Sequence, residues 1–120
     1  MKKLIMIVED YADTRSMMRY MIEYFGYEVI EAGDGYEAVE NAKDQLPDLI
    51  LMDLMMPVMD GFEAAEFIRQ YGRLNKVPIL AVTAYGNYSV ERAKESGINE
   101  VLTKPLDFDK LEQVLKKYLD

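Results

Sequence analysis

Three short apolar runs that break off at acidic or hydroxyl side chains constrain this chain more than any other feature. Leu4–Val8 stops at Glu9 and Asp10, Leu49–Met52 stops at Asp53, and Val77–Val82 stops at Thr83. A strand with one wet face alternates apolar and polar residues, whereas an unbroken run of this length suits a strand covered on both faces. Tyr27–Ile30 and Val101–Thr103 are weaker runs of the same kind. The stretches between them are amphipathic. Met17, Met18, Met21, Ile22 and Phe25 recur at helical spacing, with Arg15, Arg19 and Glu23 on other faces. Asp13 is a candidate N-cap for this helix and Gly26 a candidate terminator. Asp34-Gly35-Tyr36-Glu37 and Asp60-Gly61-Phe62-Glu63 both carry the spacing of a capping box. Asn87 or Ser89 opens a fourth helix that Gly97 closes. Asp107 caps a last helix running to Tyr118 or Leu119, with Leu111, Val114, Leu115 and Tyr118 as its apolar stripe.

The pattern is strand then helix, five times over. It predicts an α/β fold of one domain, residues 1–120, with helices on both faces of a parallel sheet. For five such units the common open strand order is 2-1-3-4-5, and ligands bind beyond the carboxyl ends of strands 1 and 3, where the order reverses.

Composition removes several function classes. The chain has 14 basic and 22 acidic residues, a net charge of −8, which argues against direct binding to a nucleic-acid backbone. With no Cys, disulfides and thiolate metal sites are impossible, and with no His the chain lacks an imidazole base, nucleophile or ligand. Met1–Val8 has two lysines before an apolar run too short for a signal peptide or a membrane span, and no other stretch is long enough. A cytoplasmic protein is expected, without a membrane partner.

The polar residues at the run ends form a constellation. Glu9 and Asp10 end the first strand and Asp53 the third, so three carboxylates converge on the rim where a ligand is expected. Crowded like charges raise one another's pKa unless a cation neutralises them. Oxygen-only ligands favour a hard cation such as Mg²⁺. Thr83 and Lys104 end the fourth and fifth strands on the same rim. A hydroxyl and an ammonium facing such a cluster complete a cradle for a phosphoryl group, with Asp53 as an ionised nucleophile. Singly, each residue has a bland reading as turn former, strand residue or surface lysine. Together, five polar residues at the same ends of four strands favour function. In the Met-rich segment, Met52 is read as core and Met55, Met56 and Met59 as shaping the loop beside Asp53.

Glu9-Asp10, the segment Asp53-Leu54-Met55-Met56-Pro57-Val58-Met59-Asp60-Gly61, Thr83-Ala84 and Lys104-Pro105 together resemble the receiver domains of bacterial response regulators, over essentially the whole chain. The resemblance implies a flavodoxin-like (βα)5 fold and phosphorylation of Asp53 in two-component or phosphorelay signalling. It implies direct Mg²⁺ ligation by Asp10, Asp53 and the backbone carbonyl of Met55, with Glu9 acting through water. Lys104 would pair with Asp53 or its phosphate, Thr83 would swing toward the phosphoryl group, and the peptide before Pro105 would be cis. The implied partners are a histidine kinase or His phosphotransfer protein as donor and a downstream protein target. The implied activity is self-phosphorylation and slow autodephosphorylation, not that of an enzyme acting on a separate substrate.

One departure stands out. Val101 occupies the position, three before the lysine, where the family often has an aromatic residue whose rotation reports phosphorylation. The sequence ends just after the last expected helix, so a stand-alone receiver of the relay kind is expected; a receiver excised from a longer protein would read the same. Met55 and Tyr85 would flank the approach of water and lengthen the life of the phosphoform.

Three rivals fit less well. A dehalogenase-type phosphatase would need a second Asp at Met55. A flavodoxin-like electron carrier would need a hydroxyl- and Gly-rich phosphate loop where Glu9-Asp10-Tyr11-Ala12-Asp13 stands. A partner-binding pseudo-receiver would not need the full set of Glu9, Asp10, Asp53, Thr83 and Lys104.

Overall fold

The computed structural model describes residues 2–84 and 88–120. Five strands, β1 (Leu4–Val8), β2 (Glu28–Ala32), β3 (Leu49–Asp53), β4 (Ile79–Thr83) and β5 (Glu100–Thr103), form one parallel sheet in the order β2-β1-β3-β4-β5. Helices α1 (Ala12–Tyr24), α2 (Gly35–Gln45), α3 (Gly61–Gln70), α4 (Val90–Ser96) and α5 (Phe108–Leu119) connect and follow them, with a short 3₁₀ turn at Gly72–Leu74. The expected fold class and strand order are therefore both present.

The unbroken apolar runs are explained by the two cores. Met6, Val8, Ile50, Met52, Ile79 and Ala81 point into a core closed by α2, α3 and α4. Their neighbours Ile5, Ile7, Leu49, Leu51, Leu80 and Val82 point into a second core, closed by Met18 and Ile22 of α1 and Leu111, Val114 and Leu115 of α5. Successive side chains on a strand face opposite ways, so a strand sandwiched between helices must be apolar at every position. Each large side chain fully buried in this way contributes about 1.5–3 kcal/mol of hydrophobic stabilisation.

Most of the expected helix signals are realised. Asp60 and Glu63 form a reciprocal capping box on α3. Asp34, Ser89 and Asp107 each accept a hydrogen bond from the backbone N–H three residues on. Gly26 and Gly97 take the left-handed conformation at the ends of α1 and α4. Asn87, the alternative opening of α4, lies outside the described residues.

Helix α1 corrects two expectations. Its N-cap is Tyr11, with no side-chain cap, and Asp13 sits inside the first turn, where its charge favours the positive end of the helix. Met17 belongs to no core and is exposed, alongside Tyr20 and Tyr24. The helix is apolar over more of its circumference than the sheet can cover, so periodicity alone could not say which edge stays out. No described helix is long and apolar enough to cross a membrane.

Candidate phosphoacceptor and cation site

Parallel pairing in register brings the strand ends to one level. Val8 stands beside Met52, Asp53 beside Val82, and Thr83 beside Thr103. The residues that follow, Glu9 and Asp10 after β1 and Lys104 after β5, therefore share a rim with Asp53 and Thr83. Glu9, Asp53 and Thr83 are buried there, whereas Asp10 is exposed.

The β3–α3 turn is fixed mainly by its own chain. Leu54 continues the ladder by donating its N–H to Val82 at 3.0 Å. Asp53 Oδ1 accepts the Met55 N–H at 3.0 Å, which orients the carboxylate. Gly61 donates its N–H back to the Leu54 carbonyl at 3.1 Å. A Cβ on Gly61 would lie 2.5 Å from the Asp53 carbonyl oxygen, so only glycine lets α3 start this close to the acceptor. Val58, at the tip, holds a φ of 68°, a costly conformation for a β-branched residue. Met56 and Met59 turn inward into the core and Met55 remains exposed. The Met-rich segment thus divides into two anchors and one free side chain beside the acceptor.

Lys104 bridges the acids. Its Nζ lies 3.2 Å from Asp53 Oδ2 and 3.2 Å from Glu9 Oε2. The Lys104 N–H donates to the Thr83 carbonyl at 2.9 Å, and the Lys104–Pro105 peptide is cis, as the resemblance implies. Burial lowers the lysine's pKa, but Asp53 and Glu9 outweigh it and hold the ammonium above its ordinary value. Glu9 is pushed up to about 7 by burial and by the neighbouring Asp53 carboxylate, against the opposing pull of Lys104. One ammonium does not neutralise the cluster.

Glu9, Asp10 and Asp53 each place a carboxylate oxygen within 4.8 Å of the others. Three hard oxygen donors with an excess of negative charge suit a divalent cation such as Mg²⁺. The side chains of Glu9, Asp10, Asp53 and Lys104 are brought together, Thr83 stands on the same rim by strand register, and Met55 adjoins Asp53. Tyr85, the expected second water shield, lies outside the described residues.

One participant was not anticipated. Arg15 reads in the sequence as a polar residue on the outer side of α1. Its guanidinium in fact donates from Nη1 to the Glu9 carbonyl at 2.7 Å and from Nε to Glu31 Oε1 at 2.9 Å. A cation six residues beyond Glu9, facing an acid in β2, was a weak signal that only the fold could resolve.

Comparison with known proteins agrees with this geometry. Residues 5–116 match the family described as "Response regulator receiver domain". The polar-differentiation response regulator DivK of Brucella anthropi is 35% identical, over 99% of this chain and 98% of that protein. Among solved structures, Vibrio cholerae chemotaxis protein CheY4 superposes with a TM-score of 0.92 at 32% identity, covering 99% of this chain and 100% of that one. The receiver domain of sensor histidine kinase PA1611 from Pseudomonas aeruginosa superposes with a TM-score of 0.91 at 34% identity, covering 98% of both chains. That structure has a magnesium ion coordinated in its active site cleft.

Proposed function

Because the chain belongs to the response-regulator receiver domain family of two-component signalling, we propose that it accepts a phosphoryl group on Asp53 with Mg²⁺ bound. The observation that carries this reading is the bridging ammonium. Lys104 Nζ faces Asp53 Oδ2 at 3.2 Å, while Met55 N–H holds Oδ1.

Asp10, Asp53 and the Met55 carbonyl would hold the cation, with Glu9 acting through water. When bound, Mg²⁺ offsets charge on the oxygens of the transferring group. The donor is a phosphohistidine of a histidine kinase or His phosphotransfer protein. An Asp53 oxygen forms the new O–P bond as the donor's N–P bond breaks, leaving a neutral histidine once a proton is taken up. Lys104 then faces the acyl phosphate, and Thr83 donates its hydroxyl hydrogen to a phosphoryl oxygen. The reaction modifies the protein itself, and slow hydrolysis returns it. The outcome is altered binding of a downstream protein.

The relay form of this function has its own support. Val101 is an aliphatic residue packed against the core, so it offers no ring to signal through the β5 face. A groove of about 400 Å³ lies beside Lys104 instead, lined by Thr14, Met17, Met18, Met21 and Pro105. Flexible methionines make adaptable binding surfaces. Both features support exchange with a histidine-bearing partner at the rim.

Intact mass after incubation with acetyl phosphate tests the reading. A gain of one phosphoryl group is expected, dependent on a divalent cation and absent in Asp53→Asn. Equal labelling of Asp53→Asn would reject Asp53 as acceptor.

A further inference from the structure

We propose that Arg15 is a positioning residue for the acidic pair, holding through one peptide unit the turn that presents Asp10. The inference rests on the reading of Glu9, Asp10 and Asp53 as a Mg²⁺ site. Glu9 is tied by its main chain on both sides. Its N–H donates to the Ala32 carbonyl of β2 at 3.1 Å, and its own carbonyl accepts from Arg15 Nη1 at 2.7 Å. That carbonyl and the Asp10 nitrogen belong to one planar peptide unit, so fixing the oxygen fixes the direction in which the chain enters Asp10. Asp10 is exposed, and α1 begins at the next turn without a side-chain cap. The guanidinium is itself anchored to the sheet through Glu31, which Arg19 also grips.

The chemistry calls for arginine. A guanidinium offers donors along different edges of one rigid plane, here Nε toward Glu31 and Nη1 toward Glu9. A lysine ammonium on a flexible stem does not hold two such partners in a fixed relation. Residues that orient metal ligands without touching the metal change metal affinity when removed.

A purely structural role would act through Glu31 and would be shared with Arg19, which also pairs with Glu31 but does not contact Glu9. The test is calorimetric titration of Mg²⁺ into wild type, Arg15→Gln, Arg15→Lys, Arg19→Gln and Asp10→Asn, with melting curves in EDTA. Arg15→Gln is expected to weaken Mg²⁺ binding about tenfold or more. Arg15→Lys should recover only part of the loss, and Arg19→Gln should stay within about twofold of wild type. Wild-type Mg²⁺ affinity in Arg15→Gln, or an equal loss in Arg19→Gln, would overturn the inference. Should Arg15→Gln fail to fold, wild-type affinity in Arg15→Lys would overturn it equally. A wild-type protein that ignores Mg²⁺ would reject the cation site itself. A site that depends on Asp10 but not on Arg15 would reject only the positioning role.

Discussion

The two turns that meet at the site are built in opposite ways. The β3–α3 turn carries Asp53 and is held largely from within: the Met55 amide on the carboxylate, Gly61 on Leu54, and the Asp60–Glu63 capping box at the start of α3. The β1–α1 turn carries Glu9 and Asp10, has no side-chain cap, and is held from outside by Ala32 and by Arg15, itself anchored to Glu31. The acceptor side is therefore a local structure, whereas the acidic pair depends on the packing of α1 and β2.

The largest effect expected from this contrast is at Gly61. A methyl group there meets the backbone of Asp53 and Leu54, atoms that cannot step aside without moving the acceptor. Gly61→Ala should cost about 1–3 kcal/mol in urea unfolding and should sharply slow phosphorylation. A variant with unchanged stability and acceptance would show that the acceptor turn tolerates displacement, and the contrast would fail. Next comes Asp10→Asn, which removes a proposed ligand and leaves the β3–α3 turn untouched. Mg²⁺ affinity should fall about tenfold or more, roughly 1.4 kcal/mol, with little change in melting temperature in EDTA. Unchanged affinity would contradict the coordination.

This contrast also decides what the sequence could reveal. Asp53, Gly61 and the capping box lie within a few residues of one another, and strand ends followed by Glu9-Asp10, Thr83 and Lys104 announce the rest of the rim. That the sheet is covered on both faces was legible because both cores leave their imprint as unbroken apolar runs, and its order followed from the common arrangement of five strand-helix units. Arg15 was not legible as a site residue, because its partners Glu9 and Glu31 come near only once β1 and β2 pair. Asp13 misled for a related reason: a capping residue type two positions past the true N-cap, Tyr11, looks the same in a string of letters. Met17 belongs to the apolar repeat of α1 yet stays exposed, because one helix carries more apolar residues than its contact face can bury.

Smaller effects refine the picture. Met55 is exposed beside the acceptor and carries no group that activates water. Met55→Asn should shorten the phosphoform's life several-fold, measured by loss of the added mass over time with Mg²⁺ present. An unchanged lifetime would remove Met55 as a shield. The smallest effect is expected at Glu31. Burial works to raise its pKa, but Arg19 and Arg15 outweigh it and hold the carboxyl below its ordinary value of 4.5. A depressed carboxyl stabilises the fold above its unfolded pKa, and that stabilisation fades as pH falls through the lower folded value. Glu31→Gln should thus lose under about 1 kcal/mol at neutral pH, with the gap to wild type closing below about pH 4. A gap that persists in acid would mean that Glu31 contributes through packing instead of charge.

The central claim is that Asp53 carries the phosphoryl group, and reductive trapping tests it most directly. Borohydride converts an acyl phosphate to the corresponding alcohol, so the protein treated with acetyl phosphate and Mg²⁺, then reduced and digested, records the acceptor as an altered side chain. The account predicts homoserine at position 53 and unmodified acids at positions 9 and 10. Reduction at Glu9 or Asp10 with Asp53 intact would contradict it.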